Sequence, residues 1–137
     1  MAVPQKWFFA ALEAAGGCSA YPLGVPEGVA TPFIVYGRSA TARELVLADT
    51  LTEEPAADVL PPSGTFQVQI YADGYLAAWA IADAIRAAIH KFAGEADDVT
   101  IDSCLLTEEA DGDPVFFDGR DTPTYVVEQT YTVRWID

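Results

Sequence analysis

Metal, disulfide and cofactor chemistry have little to work with in this chain. Its 137 residues include two cysteines and one histidine. Cys18 and Cys104 are too few for a disulfide framework and read as buried thiols rather than a bridge. His90 cannot combine with them in any zinc-ligand spacing. No glycine-rich phosphate loop follows a strand, and no Gly-x-Ser-x-Gly elbow occurs. Basic residues are scarce too, seven against 21 acids, for a net charge of −14. Such a surface repels phosphate, which excludes nucleic-acid binding through a basic patch and disfavours anionic membranes. No apolar run approaches the ~20 residues of a membrane span. Lys6, the run Trp7–Leu12 and Cys18 have the outline of a lipoprotein leader, but Glu13 interrupts it and Ala15 stands where a leucine-like residue is wanted. An amphipathic helix from Pro4 to Ala15, with Phe8, Leu12 and Ala15 on one face and Gly16 ending it, accounts for the same residues. The chain is therefore expected to fold in a cytoplasm.

What is present is a globular composition, 51% hydrophobic and 20% charged. At this length a single domain over 1–137 buries about two-thirds of its unfolded surface. The most informative stretch runs from Phe66 to Gly94. Phe66, Val68 and Ile70 alternate on one face of a strand that ends at Tyr71. Asp73 stands at an N-cap position and Gly94 at a left-handed C-terminal one. Between them Ala77, Ile81, Ile85, Ala88 and Phe92 recur at helical spacing, so one stripe of a long helix is expected to be apolar.

Elsewhere, Phe33–Tyr36 reads as a strand buried on both faces, and Arg43–Asp49 as a further strand. Thr52–Gly64 is an acidic loop with three prolines. Val99, Ile101, Ser103 and Leu105 alternate as a strand, and Glu108–Pro123 reads as an acidic turn region. The last strand, Tyr125–Trp135, is the cleanest. Val127, Gln129, Tyr131, Val133 and Trp135 share one of its faces. The expected fold is α+β, a largely antiparallel sheet of four to five strands with the N-terminal helix and the long amphipathic helix packed on one face.

Candidate chemistry is sparse. Asp83, Arg86, His90 and Trp79 fall together on the helix face away from the apolar stripe, with Leu76 nearby. A solvated histidine beside an ion pair explains His90 better than catalysis. Trp79 admits two readings, a ring covered by its own chain or part of a partner surface, where Trp and Arg are enriched. Residues 95–121 hold ten carboxylates and one arginine. Asp111-Gly112-Asp113 offers two oxygen ligands, but the spacing does not match a helix–loop–helix calcium site. The carboxylates are expected in solvated loops, with no metal, cofactor or catalytic residue.

The order of elements resembles the tail-terminator (tail-completion) proteins of long-tailed phages. The resemblance lies in Pro32–Tyr36, in Phe66–Asp73 leading into Tyr75–Ile89, and in the closing strand Tyr131–Trp135. It implies a non-enzymatic virion protein, assembled in the host cytoplasm. By this resemblance, six copies form a ring that caps the tail tube, stops its polymerisation and meets the head connector, while DNA passes through the lumen. This chain departs from the pattern in a longer segment at 39–63. Subunit contacts are expected from Leu76, Trp79, Arg38, Arg43 and Glu44, because the few arginines of so acidic a subunit belong where copies meet. Glu53, Glu54, Asp58, Glu108, Glu109, Asp111 and Asp113 are expected to face the lumen or solvent. Two rival readings stay open, an acidic DNA mimic that inhibits a DNA-binding protein and a small ligand-binding domain. Against mimicry, the carboxylates cluster in loops rather than along helix faces.

Overall fold

The computed structural model describes residues 4–25, 28–42, 63–96, 99–117 and 121–136, with backbone alone at 39–42 and 96. The elements, in order, are α1 (Gln5–Gly16), β1 (Ala20–Pro22), β2 (Phe33–Ala42), β3 (Ser63–Ala72), α2 (Tyr75–Ile89), β4 (Gly94–Ala96), β5 (Val99–Asp111) and β6 (Tyr125–Ile136). They form one six-stranded sheet in the order β1-β2-β3-β6-β5-β4. The β1–β2 pairing is parallel and every other is antiparallel. The α+β class is as expected. The two strands not expected from the sequence are β1 and β4, each too short to leave an alternating pattern. The expected strand at Arg43–Asp49 lies outside the described residues.

Period-two burial holds where the alternation is clean. Phe66, Val68 and Ile70 of β3 are fully buried, as are Val127, Tyr131 and Val133 of β6, with Gln129 and Trp135 nearly so. Both helices pack on this face. Phe8 of α1 lies at its centre, 4.6 Å from the Phe66 ring and 5.9 Å from Tyr131. The helix ends at Gly16, and Gly17 supplies the left-handed residue (φ 68°) whose N–H reaches Glu13 O.

The long helix differs in detail from its sequence reading. Its buried stripe is Ala78, Ala82, Ile85 and Ile89. Ala77 and Ala88 are exposed and Ile81 is half-buried. The expected stripe shares Ile85 with it, and Ile81 and Phe92 pack half-buried against the same core; small alanines let the helix approach the sheet along a line of Ala–Ala–Ile–Ile that hydrophobicity alone ranks no higher. Asp73 does not cap the helix. Gly74 holds the N-cap position without a side-chain bond, and Asp73 accepts from Thr31 Oγ1 at 2.7 Å. At the other end Lys91 takes the left-handed conformation (φ 69°), and Gly94 opens β4.

The second difference is in β5, which runs through Asp111 and so includes Glu108 and Glu109, placed by sequence in a turn region. The long partner β6 draws it out, pairing as far as Asp111↔Val127. Register breaks at Ile101/Ser103 and Leu106/Glu108 interrupt the ladder. Each bulge adds a residue and reverses which parity faces the core. Val99, Ile101 and Cys104 are therefore buried while Leu105 is 44% exposed. Simple alternation had put Ser103 and Leu105 on the buried face.

Candidate functional site

The second parity reversal turns Glu109 toward α2 and creates the main polar assembly of the described residues. Glu109 Oε1 receives Arg86 Nη1 at 2.8 Å, and Glu109 Oε2 receives Gln129 Nε2 at 2.7 Å. Arg86 Nη2 also binds Asp83 at 2.8 Å, three residues earlier on the helix. Gln129 is 1% exposed. Its amide nitrogen donates a second bond to Ala82 O at 2.9 Å, and its oxygen accepts from Tyr131 Oη at 3.0 Å. A buried amide with each group engaged fastens the middle of α2 to the sheet. Burial, first, and the nearby Cys104 and Glu109 raise the Tyr131 phenol well above its ordinary range. Burial alone pushes the Cys104 thiol up to about 12.

Two further contacts flank this assembly. At the start of α2, Asp111 accepts from Trp79 Nε1 at 2.7 Å and from Tyr75 Oη at 3.0 Å. That bond, with lesser contributions from burial and charge, holds the Tyr75 phenol above its usual value. At the end of α2, His90 Nδ1 accepts the Leu106 N–H at 2.9 Å, and the Lys91 N–H donates to Cys104 O at 2.6 Å. His90 is thus a half-buried helix terminator bound to a strand edge, not the solvated histidine beside an ion pair that the sequence suggested. The Nδ1 acceptor role fixes its proton on Nε2. None of these groups forms a nucleophile–base pair.

The remaining sequence candidates are dispersed. Leu76 is 80% exposed at the first turn of α2. Trp79 is half-buried, packed in part against the core. Arg38 is exposed on β2 with its guanidinium 5.9 Å from the centroid of the Trp135 ring. With the Gln5 amide oxygen turned toward it, Arg38 Nη2 donates at 2.9 Å. Glu108 and Asp113 are exposed, whereas the Glu109 side chain is only 16% exposed and faces the helix. Arg43, Glu44, Glu53, Glu54 and Asp58 lie outside the described residues. Among the described residues no group of three His, Cys, Asp or Glu side chains could hold a metal ion, and no helix is long and apolar enough to cross a membrane. Cys18 and Cys104 are free. Sequence reasoning missed the role of Glu109 and Gln129. The signal was Gln129 itself, a lone amide on the apolar face of β6.

The arrangement is mechanical, a helix held to a sheet by polar bonds. The family model described as Tail completion protein gp17 matches residues 9–135. No curated protein matches. Among solved structures, a chain from the virion of a native gene transfer agent particle aligns with a TM-score of 0.54 at 16% identity, covering 92% of this chain and 84% of that one. A second solved chain aligns with a TM-score of 0.55 at 14% identity, covering 99% of this chain and 98% of that one. At these identities the structural likeness is one of fold.

Proposed function

The chain belongs to the tail completion protein gp17 family, structural and non-enzymatic proteins of the phage tail, and on that premise we propose that it closes the tail tube as a ring. Six copies are the expected number. The ring stops tube polymerisation on one side and meets the head connector on the other. The observation that carries this reading is the family match across nearly the whole chain. Its charge supports it, because a lumen lined by a subunit of net charge −14 holds no phosphate as DNA passes.

In this reading Arg38, with Arg43 and Glu44, belongs to the contact between neighbouring copies. Leu76 remains available to a neighbour, the tube or the connector. Trp79 supports that surface from below. DNA mimicry finds less support, since Glu109 and Asp111 are engaged by Arg86, Trp79 and Tyr75 rather than arrayed toward a partner.

The test is assembly. Tail tubes polymerised with the purified chain should stop at a uniform length and carry a ring at one end in electron micrographs, while tubes without it should overrun. Uncontrolled length in its presence would refute the reading. Inhibition of a nuclease or repressor at stoichiometric dose would replace it with mimicry.

A further inference from the structure

Among the described residues, both edges of the sheet are half covered. On one side β1 pairs with β2 only at Ile34–Tyr36, extended by the Leu23 N–H on Tyr36 O. No described strand lies against the rest of that edge, Arg38–Ala42. On the other side β4 pairs with β5 only at Val99–Ile101. The two bonds from His90 and Lys91 carry the cover to Leu106. No described strand lies against Thr107–Asp111. The two open stretches are equal in length, and each presents backbone groups in position to template another strand.

We propose that copies of this chain join head to tail through these edges, with Thr107–Asp111 of β5 in one copy pairing with Arg38–Ala42 of β2 in the next. The proposal rests on the ring reading above and names the contact that would build the ring.

Strand direction supports it. The long strands run β2-β3-β6-β5, each antiparallel to its neighbour. An even, alternating set makes β5 of one copy antiparallel to β2 of the next when copies are related by rotation about an axis lying along the strands. The sheet then continues from copy to copy without a change of pattern. An odd set would have forced a parallel junction.

Charge selects the pairing. The β5 stretch contains Glu108, Glu109 and Asp111, whereas the β2 stretch contains Arg38 and no acid. Two β5 edges brought together would set acid against acid. A β5 edge meeting a β2 edge does not, so the mixed, heterologous contact is favoured, and such contacts form a ring where the rotation between copies closes.

The stagger also fits closure. Through the ladder, Ala40 is level with Thr65, Thr132 and Leu105. The middle of the open β5 stretch, Glu109, is level with Gln129. The offset along β6 is thus Thr132 to Gln129, about 10 Å at roughly 3.3 Å per residue. Spread over four strands spaced about 4.8 Å, it inclines the strands by roughly 30°, near the 35–45° of closed sheets. The short strands β1 and β4 lie at opposite ends of the two edges and flank the junction as stops.

Cysteine pairing across the edges tests this. Ala40→Cys and Ala110→Cys are made separately in a Cys18→Ser background, which removes the half-buried native thiol, and mixed in equal amounts under assembly conditions with a short bismaleimide linker. The expected result is covalent dimers from the mixture and not from either variant alone, with a ladder up to the full ring when both changes share one chain. Deuterium uptake by unaltered protein, at 38–42 and 107–111, should slow on assembly by at least tenfold. Rings that form without cross-links and without slowed exchange would overturn the edge contact and leave the ring reading standing. Failure to form rings, alone or on tail tubes, would overturn both. Cross-links from Ala110→Cys alone would replace the head-to-tail contact with a symmetric one.

Discussion

The indole N–H of Trp79 donates to the Asp111 carboxylate at 2.7 Å, across 32 residues of sequence. A ring that sequence places on a polar helix face is thereby satisfied within its own chain. The same bond fixes the start of α2 to the last residue of β5. Trp79→Phe keeps the ring and removes the donor, and should lower stability by about 0.5–1.5 kcal/mol. Adding Asp111→Asn should then cost less than it does in the parent. Urea unfolding of the four proteins in that cycle checks the coupling, and additive effects would show that the bond contributes nothing.

The orientation of α2 can be read by moving a single charge around it. Ile85 is fully buried, so Ile85→Asp places an unpaired carboxylate in the core and should prevent folding, a loss above about 4 kcal/mol. Ala88→Asp, on an exposed position that the sequence stripe had placed inside, should change stability by no more than about 0.5 kcal/mol. Circular dichroism melting curves separate the two. An unfolded Ala88→Asp would restore the stripe read from sequence.

Gln129 connects three groups, Glu109, Tyr131 and the Ala82 carbonyl, and its replacement should expose their dependence on it. Gln129→Leu leaves the Tyr131 hydroxyl without its acceptor and Glu109 with one donor fewer, at a cost of about 1–3 kcal/mol. Tyr131→Phe in the same background should recover part of that loss, because the stranded hydroxyl goes with it. Calorimetric melting of both variants decides this, and a double variant less stable than Gln129→Leu would contradict it.

Alkaline pH should loosen the fold from a definite point. The Cys104 thiol is raised by burial from its ordinary 9.0 to about 12. Below pH 9 both folded and unfolded chains keep that proton, so it does not affect stability. Above pH 9 the unfolded chain releases it while the folded chain holds it, so stability falls as pH rises, by up to about 1.4 kcal/mol per unit. The Tyr131 phenol, raised from 10.0, adds to the decline only above pH 10. Urea midpoints between pH 8 and 11 should show the fall beginning near 9. In Cys104→Ala the fall between pH 9 and 10 should be shallower, with Cys18, which burial also raises from 9.0, left as the thiol that contributes there.

How much of this was legible depends on which residues carried each feature. Clean alternation in β3 and β6 placed their buried faces correctly, since large apolar side chains at every second position leave a strand one choice. The polarity of α2 was ambiguous because seven of its fifteen residues are alanine, which fits either face. In β5 the bulges broke the period that sequence reading relies on. Glu109 and Asp111 looked like surplus surface charge because the bonds that hold them come from a helix more than twenty residues away. The clue available in sequence was composition out of place, an amide at Gln129 and an indole at Trp79.

The paired irregularities in β5 set a rule for length variation in related chains. Deleting one residue between Ile101 and Glu108 with both bulges kept would point Glu108 and Ala110 at the helix instead of Glu109 and Asp111, and Arg86, Gln129 and Trp79 would lose their acceptors together. Deleting a bulge residue itself, either one or both, straightens the ladder, leaves the other pairings with β6 as they are and keeps them. Related chains should therefore shorten this stretch at the bulges, by one residue or two, with Glu109 and Asp111 still opposite Gln129 and Val127.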